Sequence, residues 1–310
     1  MRMNTTIRGR GLALACGAVL LACDSATAPP ACIEQVAFAS DRDSHDPHYV
    51  NSEIYVMPAG GRLAHRLTTT TAADDSWPAW SPDGAQIVFI SDRSESNNLE
   101  VYTMTSSGTK VLRLTTATGA DVEPTWSPDG SRIAFKSSRN GHGTSNIYVT
   151  NADGSGTVAL TTDTLWVDAS PAWSPDGMKI AFTSNRDGNE EIYVMNADGS
   201  GLARLTNSTA RDLRPAWSPD GKWLAFDSDR DGNHEVYVMP DTGGVAQRLT
   251  TDSAFDGEAE WSPDGMRIAF SSKRSGTGDI WIITLATGAL QNVTNTPTSW
   301  EASPAWSRCP

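Results

Sequence analysis

The sequence lacks the pattern of a helical protein. No long stretch beyond residue 31 repeats its apolar residues every 3.6 positions. It also lacks a nucleophile elbow, a phosphate-binding loop and a Cys–His catalytic signature. Glycine and proline are abundant instead, at 26 and 17 residues, and tryptophan occurs 11 times. This profile predicts many short strands separated by turns.

Basic residues are scarce. The chain has 24 Lys and Arg against 37 Asp and Glu, for a net charge of −13. Three of the arginines, Arg2, Arg8 and Arg10, lie within the first 22 residues, so the remainder is more acidic still. Because no basic surface is left to neutralise phosphates, nucleic acid is excluded as a partner. The charge favours cations or basic protein surfaces.

The first 22 residues resemble a lipoprotein signal peptide. Their apolar stretch, Gly11–Ala22, is too short to span a bilayer. The Leu-Leu-Ala-Cys sequence ending at Cys23 resembles a bacterial lipobox, in which Cys23 would be lipidated and become the N-terminus. Residues 23–31 would then form a short tether. Three alternatives are open: cleavage after Ala28, lipidation at Cys16, or a retained membrane anchor.

A repeat fills the rest of the sequence. Six tryptophans mark it at intervals of 44 to 47 residues: Trp80, Trp126, Trp173, Trp217, Trp261 and Trp306. Around Trp173 the chain reads Pro-Ala-Trp-Ser-Pro-Asp-Gly, then Ile-Ala-Phe, and farther along Ile-Tyr-Val-Met and Leu-Thr. The Pro-Asp-Gly turn occurs five times, and the other landmarks occur six times with small substitutions.

Each repeat predicts four short antiparallel strands joined by turns. Such units at this interval are typical of propeller blades, whose aromatic side chains fill the space between neighbouring sheets. The sequence therefore predicts an all-β fold, a single six-bladed β-propeller over residues 32–310.

The repeat resembles the TolB-type β-propeller repeat, from Cys32 to Cys309. The resemblance implies a protein of the bacterial envelope with a protein-binding role. TolB also has an α/β domain before its propeller, whereas only eight residues separate Cys23 from Cys32 here. We therefore expect a propeller alone.

The two chain ends are predicted to share one blade. In an intact repeat the turn aspartate lies three residues after the tryptophan and six before the phenylalanine of the next strand. Cys309 lies three residues after Trp306, and Cys32 lies six before Phe38. This spacing predicts a Cys32–Cys309 disulfide in place of the missing turn, which an oxidising compartment permits. The alternative is two unpaired cysteines.

An acid precedes every repeat tryptophan by five residues: Asp75, Asp121, Asp168, Asp212, Asp256 and Glu301. Six carboxylates around one axis could bind Ca²⁺ or attract a basic peptide at the channel mouth. The alternative is that each acid accepts hydrogen bonds inside its own blade.

The residue three before each tryptophan varies instead: Trp77, Glu123, Ser170, Arg214, Glu258 and Ser303. Since the shared scaffold does not dictate them, these positions are candidates for specificity. Further aromatic residues, Trp166, Phe255 and Trp300, are expected in the same loops. Loop packing is the alternative explanation.

An enlarged loop of the first repeat, residues 41–49, contains His45, Asp46 and His48. These side chains could ligate a metal, and His142 and His234 lie in equivalent loops. The arrangement is similar to that of metal-dependent lyases of acidic sugars, which use a related propeller. The spacing matches no tight metal signature, so a solvated loop is the alternative.

We expect a non-enzymatic binding module of the bacterial envelope, a monomer on the periplasmic or surface side, attached to the membrane only through its lipid. The alternatives are a metal-dependent polysaccharide lyase or hydrolase, and an accessory lipoprotein that binds a small sugar. The repeated arginines are expected to pair with acids between strands or blades: Arg42, Arg93, Arg139, Arg186, Arg230 and Arg274.

Overall fold

A computed structural model describes residues 34–44, 51–61, 63–70, 73–94, 98–141 and 143–307. All regular elements in these residues are strands. Within the same residues, no helix has the length and apolarity needed to cross a membrane.

The described residues form 24 strands, numbered along the chain. The first twelve are β1 Gln35–Ser40, β2 Glu53–Pro58, β3 His65–Arg66, β4 Asp75–Trp80, β5 Gln86–Ser91, β6 Glu100–Thr105, β7 Leu112–Arg113, β8 Asp121–Trp126, β9 Arg132–Ser137, β10 Asn146–Asn151, β11 Val158–Ala159 and β12 Asp168–Trp173. The others are β13 Lys179–Ser184, β14 Glu191–Asn196, β15 Ala203–Arg204, β16 Asp212–Trp217, β17 Trp223–Ser228, β18 Glu235–Pro240, β19 Gln247–Arg248, β20 Asp256–Trp261, β21 Arg267–Ser272, β22 Asp279–Thr284, β23 Ala289–Asn292 and β24 Glu301–Trp306.

These strands form six antiparallel four-stranded sheets, the blades. Blade 1 has the strand order β24-β1-β2-β3, and blades 2 to 6 begin at β4, β8, β12, β16 and β20. The first strand of each blade contacts the first strand of the next, and β24 contacts both β20 and β4, so the ring is closed. The six-bladed propeller predicted from the repeat is confirmed, including the blade shared by the two chain ends.

The antiparallel order defines two faces. The turns after the first strand of blades 2 to 6 and after the third strand of every blade lie on one face, called here the turn face. The loops after the second and fourth strands lie on the opposite face, called here the loop face. Each innermost strand therefore starts at the loop face and ends at the turn face.

The Ser-Pro-Asp-Gly turns are rigid and packed against each other. In blade 2, the Ser81 hydroxyl donates to Asp83 Oδ1 at 2.6 Å, and the Gln86 N–H donates to Ser81 Oγ at 2.9 Å. Between blades, a Cβ on Gly221 would lie 3.2 Å from Pro175 Cγ, and Gly221 has a φ of 72°. The left-handed conformation favours glycine there, and the close approach of Pro175 leaves little room for a side chain.

The core consists of six apolar clusters, one at each interface between neighbouring blades. At the interface of blades 1 and 2, Phe89 and Trp80 pack with Ile54. The six repeat phenylalanines are all fully buried: Phe38, Phe89, Phe135, Phe182, Phe226 and Phe270. Burial of such a side chain contributes about 1.5–3 kcal/mol, so the blades hold each other in place.

Hydrogen bonds continue blade 1 to the last described residue of the chain. The Gln35 N–H donates to Ser307 Oγ and the Ser307 N–H donates to Gln35 O, both at 2.8 Å. Ser81 and Gln86 make the same two bonds in blade 2, at 2.9 Å each. Blade 1 is therefore built like the others up to this point. Cys32 and Cys309 lie outside the described residues.

Candidate functional site

A cavity of about 220 Å³ lies on the axis of the propeller. Its wall consists of the innermost strands, from their third residue onward, and of the prolines of three turns, Pro82, Pro128 and Pro175. The cavity therefore occupies the part of the channel nearest the turn face. The six varying residues all contribute to its wall: Trp77, Glu123, Ser170, Arg214, Glu258 and Ser303.

A β-bulge places each of these six residues. In blade 2, Ser76 pairs with Ile90 and the next pair is Ala79 with Val88, so Trp77 and Pro78 lie opposite a single residue. The varying residue has a positive φ in every blade, between 50° and 57°. For a residue other than glycine this conformation costs roughly 1–2 kcal/mol. Backbone strain repeated in six blades points to a role in function.

The bulge frees a backbone N–H, which in three blades donates to a side chain on the second strand of the preceding blade. The Arg214 N–H donates to Thr183 Oγ1 at 3.0 Å, and the Glu258 N–H donates to Asp227 Oδ1 at 3.0 Å. The Ser303 N–H donates to Ser271 Oγ at 3.2 Å and also to Glu258 Oε2 at 2.8 Å. The ring of varying residues is thus fixed by contacts between blades.

Blades 5 and 6 contribute a charged cluster to the ring. Arg214 Nη1 donates to Asp227 Oδ2 at 2.9 Å, and the Asp227 side chain is fully buried. Burial raises the pKa of Asp227 to about 6, although Arg214 and the Glu258 N–H stabilise its charged form. The Ser271 hydroxyl donates to Glu258 Oε2 at 2.8 Å. Burial alone would lower the pKa of the Arg214 guanidinium, but nearby carboxylates, foremost Asp227, outweigh it and raise this pKa, so the group stays charged.

Blades 2 to 4 contribute a different set of groups. Glu123 Oε2 accepts the Ser170 N–H at 2.6 Å, and Glu123 Oε1 lies 3.7 Å from Lys136 Nζ. Trp77 presents an indole to the cavity from blade 2. The wall therefore combines the Trp77 indole, the Arg214 guanidinium and the carboxylates of Glu123 and Glu258, with Lys136 and Asp227 in contact behind them. This mixture suits a ligand with both apolar and charged groups.

The structure separates the varying residues from the other predicted aromatics. Trp166, Phe255 and Trp300 lie in connections between fourth and first strands, which belong to the loop face, whereas Trp77 lies inside a strand and lines the cavity. The expectation that all four share one set of loops is wrong, because the bulge directs Trp77 into the channel.

The six acids do not form an open ring at the channel mouth. Their carboxylates are completely buried, and each is bound by an arginine of its own blade. The pairs are Arg42–Glu301, Arg93–Asp75, Arg139–Asp121, Arg186–Asp168, Arg230–Asp212 and Arg274–Asp256, and apart from the last their N–O distances are 2.7 to 3.0 Å. The sites expected for Ca²⁺ or a basic peptide are therefore occupied by the protein's own guanidinium groups.

The same arginines pack on the core, as in blade 2. The Arg93 guanidinium lies 5.1 Å from the Phe89 ring centroid and 5.2 Å from that of Tyr102. Its Nη2 donates to Asp75 at 2.7 Å. The predicted pairing of the repeated arginines with acids is confirmed, and it joins the loop after the second strand to the innermost strand of the same blade.

The remaining candidates have different outcomes. His45, Asp46, His48, His142 and Cys23 lie outside the described residues. His234 lies on the loop face with its ring 5.6 Å from Phe255, and burial lowers its pKa. Among the described residues, no group of three His, Cys, Asp or Glu side chains is placed to hold a metal.

Sequence reasoning did not identify four residues that contact the ring of varying residues. Each directly follows a repeat phenylalanine: Lys136, Thr183, Asp227 and Ser271. A signal was present, because this position also varies between repeats. A second signal is the proline after the varying residue, at Pro78, Pro124, Pro171, Pro215 and Pro304. Proline in a paired strand indicates a bulge.

Comparison with solved structures finds the same architecture. TolB from Acinetobacter baumannii superposes with a TM-score of 0.74 at 22% identity, over 88% of this chain and 66% of that one. A TolB candidate from Agrobacterium tumefaciens gives 0.67 at 20% identity, over 89% and 99%. Oligogalacturonate lyase from Vibrio parahaemolyticus gives 0.53 at 16% identity, over 84% and 73%. At these identities the likeness shows the fold alone.

Sequence comparison is more specific. No curated protein sequence matches the chain. The family model for the TolB beta propeller domain matches residues 94–168 and 162–307, more than half of the chain. The protein therefore belongs to the TolB beta propeller domain family.

Proposed function

We propose that the protein is a non-enzymatic binding module of the bacterial envelope that holds a segment of another protein in its central cavity. The observation that carries this proposal is the ring of six different side chains, each held in a strained left-handed conformation at the cavity wall. A structural role alone would be met by glycine, which adopts this conformation without strain. The side chains are therefore the reason for the strain.

The size and chemistry of the cavity support a protruding segment as the ligand. At about 30 Å³ for each water, the cavity holds about seven waters, which is room for one or two side chains. Trp77 supplies an apolar contact, while Arg214 and Glu258 supply charges of both signs. A single ion would use only part of this wall, whereas a peptide segment uses all of it.

The envelope location rests on the sequence and on family membership. In this proposal Cys23 carries the lipid, residues 23–31 form the tether, and the propeller acts as a monomer on the periplasmic or surface side. Mass spectrometry of the N-terminal peptide from membrane-extracted protein tests the anchor. A lipid mass on Cys23 is expected, and an unmodified Cys23 would contradict it.

The binding function is tested by affinity capture from envelope extract with wild type, Trp77→Ala and Glu123→Gln. Matched controls change the same residue types on the loop face: Trp300→Ala, where the side chain is 39% exposed, and Glu190→Gln. A protein retained by wild type and both controls but lost by the cavity variants supports the proposal. Equal retention by all five, or retention of no protein, would refute it.

A further inference from the structure

A second depression lies away from the axis, between blades 4 and 5 on the turn face. It is a groove of about 330 Å³, called here the blade 4–5 groove. Its wall includes the Trp217 indole and the side chains of Asp176, Lys179, Asp220 and Asp241. The groove is thus acidic on balance and has an aromatic side chain in its wall.

Trp217 differs from the other repeat tryptophans in its exposure. Trp80, Trp126, Trp173, Trp261 and Trp306 are exposed by 9% or less, whereas Trp217 is partly exposed. Its ring is nevertheless fixed, because Nε1 donates to Ala172 O of blade 4 at 3.1 Å. A fixed, partly exposed indole is a platform on which a planar group can stack.

Two other interfaces show which group stacks at this position. Arg132, the first residue of β9, lies over the Trp173 ring of the next blade, 4.8 Å from its centroid. Arg267, the first residue of β21, lies over Trp306 in the same way at 4.9 Å. The corresponding first residue of β13 is Lys179, which is exposed, and no cation stacks on Trp217 within the part of the chain described. Trp80, Trp126 and Trp261 also have no stacked guanidinium among the described residues, and Trp217 is the most exposed of these four.

The carboxylates needed to bind a guanidinium are also present. Arg267 donates to the turn aspartate of its own blade, Asp264, at 2.9 Å and to Glu34 at 2.6 Å. In the blade 4–5 groove Asp176 is the equivalent turn aspartate, and Asp220 and Asp241 supply further acid groups. Hydrogen bonds from the Ser174 hydroxyl and the Met178 N–H lower the pKa of Asp176, so this carboxylate is ionised at neutral pH.

The surroundings suit an arginine on a polypeptide. Met178, which lies between Asp176 and Lys179 in the chain, is 69% exposed and offers apolar surface for a side-chain stem. Asp220 lies 3.5 Å from Lys222, and Lys179 stabilises the charged form of Asp176. The three carboxylates of the groove still outnumber these two ammonium groups. Arginine fits better than lysine, because its flat guanidinium can stack on an indole and donate to carboxylates at once.

We propose that the blade 4–5 groove binds the guanidinium of an arginine side chain from another protein, stacked on Trp217 and bound by Asp176. The bound group would take the place that Arg132 and Arg267 occupy at the other two interfaces. The groove shares Ser174, Pro175 and Trp217 with the wall of the central cavity, but the residues altered in the capture experiment do not line it, so either proposal can fail without the other.

The test uses the indole N–H resonances of protein labelled with ¹⁵N-tryptophan, with the Trp217 signal assigned from its loss in Trp217→Phe. The probe is arginine capped as N-acetyl arginine methylamide. A saturable shift of the Trp217 resonance is expected, and capped lysine should bind several-fold more weakly, by roughly a factor of five. No saturable shift, or an equal response to both probes, would overturn the proposal.

Two variants sharpen the test. Lys179→Arg should fill the groove from within and weaken probe binding by about tenfold or more, since the internal group competes at high effective concentration. Arg132→Lys should uncover Trp173, whose resonance should then respond to the probe as Trp217 does in wild type. Unchanged binding in Lys179→Arg would refute the stacking geometry, and so would an unresponsive Trp173.

Free arginine distinguishes a polypeptide from a small molecule as the source of the guanidinium. Its ammonium and carboxylate groups cancel, so its net charge equals that of the capped probe and it should bind no more tightly. Tighter binding of free arginine would overturn the assignment to a protein partner. Every titration uses the whole chain in detergent. A spectrum in which all other indole signals keep their positions shows that each variant is folded.

Discussion

Replacing Ser303 by glycine should stabilise the protein, although it removes a buried side chain. Ser303 is one of the six ring residues, with a φ of 54° and an exposure of 7%. Its hydroxyl makes only a long contact with Glu258, at 3.4 Å, while its N–H bonds are kept in the variant. The side chain therefore contributes little that offsets its backbone strain.

The size of the effect follows from two opposed terms. Removing the left-handed strain of a residue with a Cβ gains roughly 1–2 kcal/mol. The greater freedom of glycine in the unfolded chain costs about 0.5–1 kcal/mol. We expect Ser303→Gly to increase the free energy of unfolding by about 0.5–1 kcal/mol, measured by reversible urea denaturation.

Ser76→Gly is the matched control. Ser76 is also buried in an innermost strand, directly before a bulge, but it is not among the residues with a positive φ. Here glycine relieves no strain, and the variant should lose about 0.5–1 kcal/mol. If both substitutions destabilise equally, the ring is not strained and the argument from strain to function fails.

Three further predictions concern the channel wall, the blade interfaces and ring closure. Because the folded-state pKa of Asp227 is about 6, above the usual 3.8, the stability this carboxyl contributes is present below about pH 4 and is lost as the pH rises through 6. Wild type should therefore lose about 2.5 kcal/mol relative to Asp227→Asn between pH 4 and pH 7, and a pH-independent difference in urea denaturation would contradict this. Trp261→Phe should lower the free energy of unfolding by about 1 kcal/mol more than Trp126→Phe does. The reason is that Trp261 Nε1 donates to Ala216 O at 3.2 Å, whereas the buried Trp126 Nε1 has no hydrogen-bond partner. Equal melting temperatures of the two variants would contradict this. A non-reduced digest should contain a peptide joining Cys32 to Cys309, and free thiols at both would exclude the proposed disulfide.

The fold could be predicted from the sequence because its determinants are local and repeated. The tryptophan, the Ser-Pro-Asp-Gly turn and the buried phenylalanine recur in register, so six weak signals reinforce each other. Blade 1 could be predicted as well, since residues 302–307 and 33–38 supply the halves of one repeat. The hydrogen bonds between Gln35 and Ser307 confirm that pairing.

The site could be predicted only in part. The variability of Trp77 and its five equivalents marked them as candidates, but their direction depends on a bulge that regular strand alternation does not reveal. The sequence also left open whether the carboxylates of Asp75 and its equivalents bind a ligand or pair within the protein. Whether a carboxylate is open or paired depends on an arginine 18 residues farther along, such as Arg93, and therefore on how the loop between two strands folds back.

The blade 4–5 groove could not be predicted from the repeat alone. Lys179 and Arg132 occupy equivalent positions and have the same charge, and in the sequence they read as a conservative exchange. Only the structure shows that Arg132 stacks on Trp173, whereas Trp217 is left partly exposed beside Lys179. The flat guanidinium of Arg132 stacks on its tryptophan, whereas the ammonium of Lys179 does not.

Site-specific photo-crosslinking tests the central claim, that the axial cavity holds a segment of another protein. A photoreactive phenylalanine analogue is placed at Ser170, which lines the cavity, and in a second protein at Trp300 on the loop face. Irradiation in intact cells should yield a crosslinked protein from position 170 and not from position 300. Crosslinks from position 300 alone, or from neither position, would contradict the account.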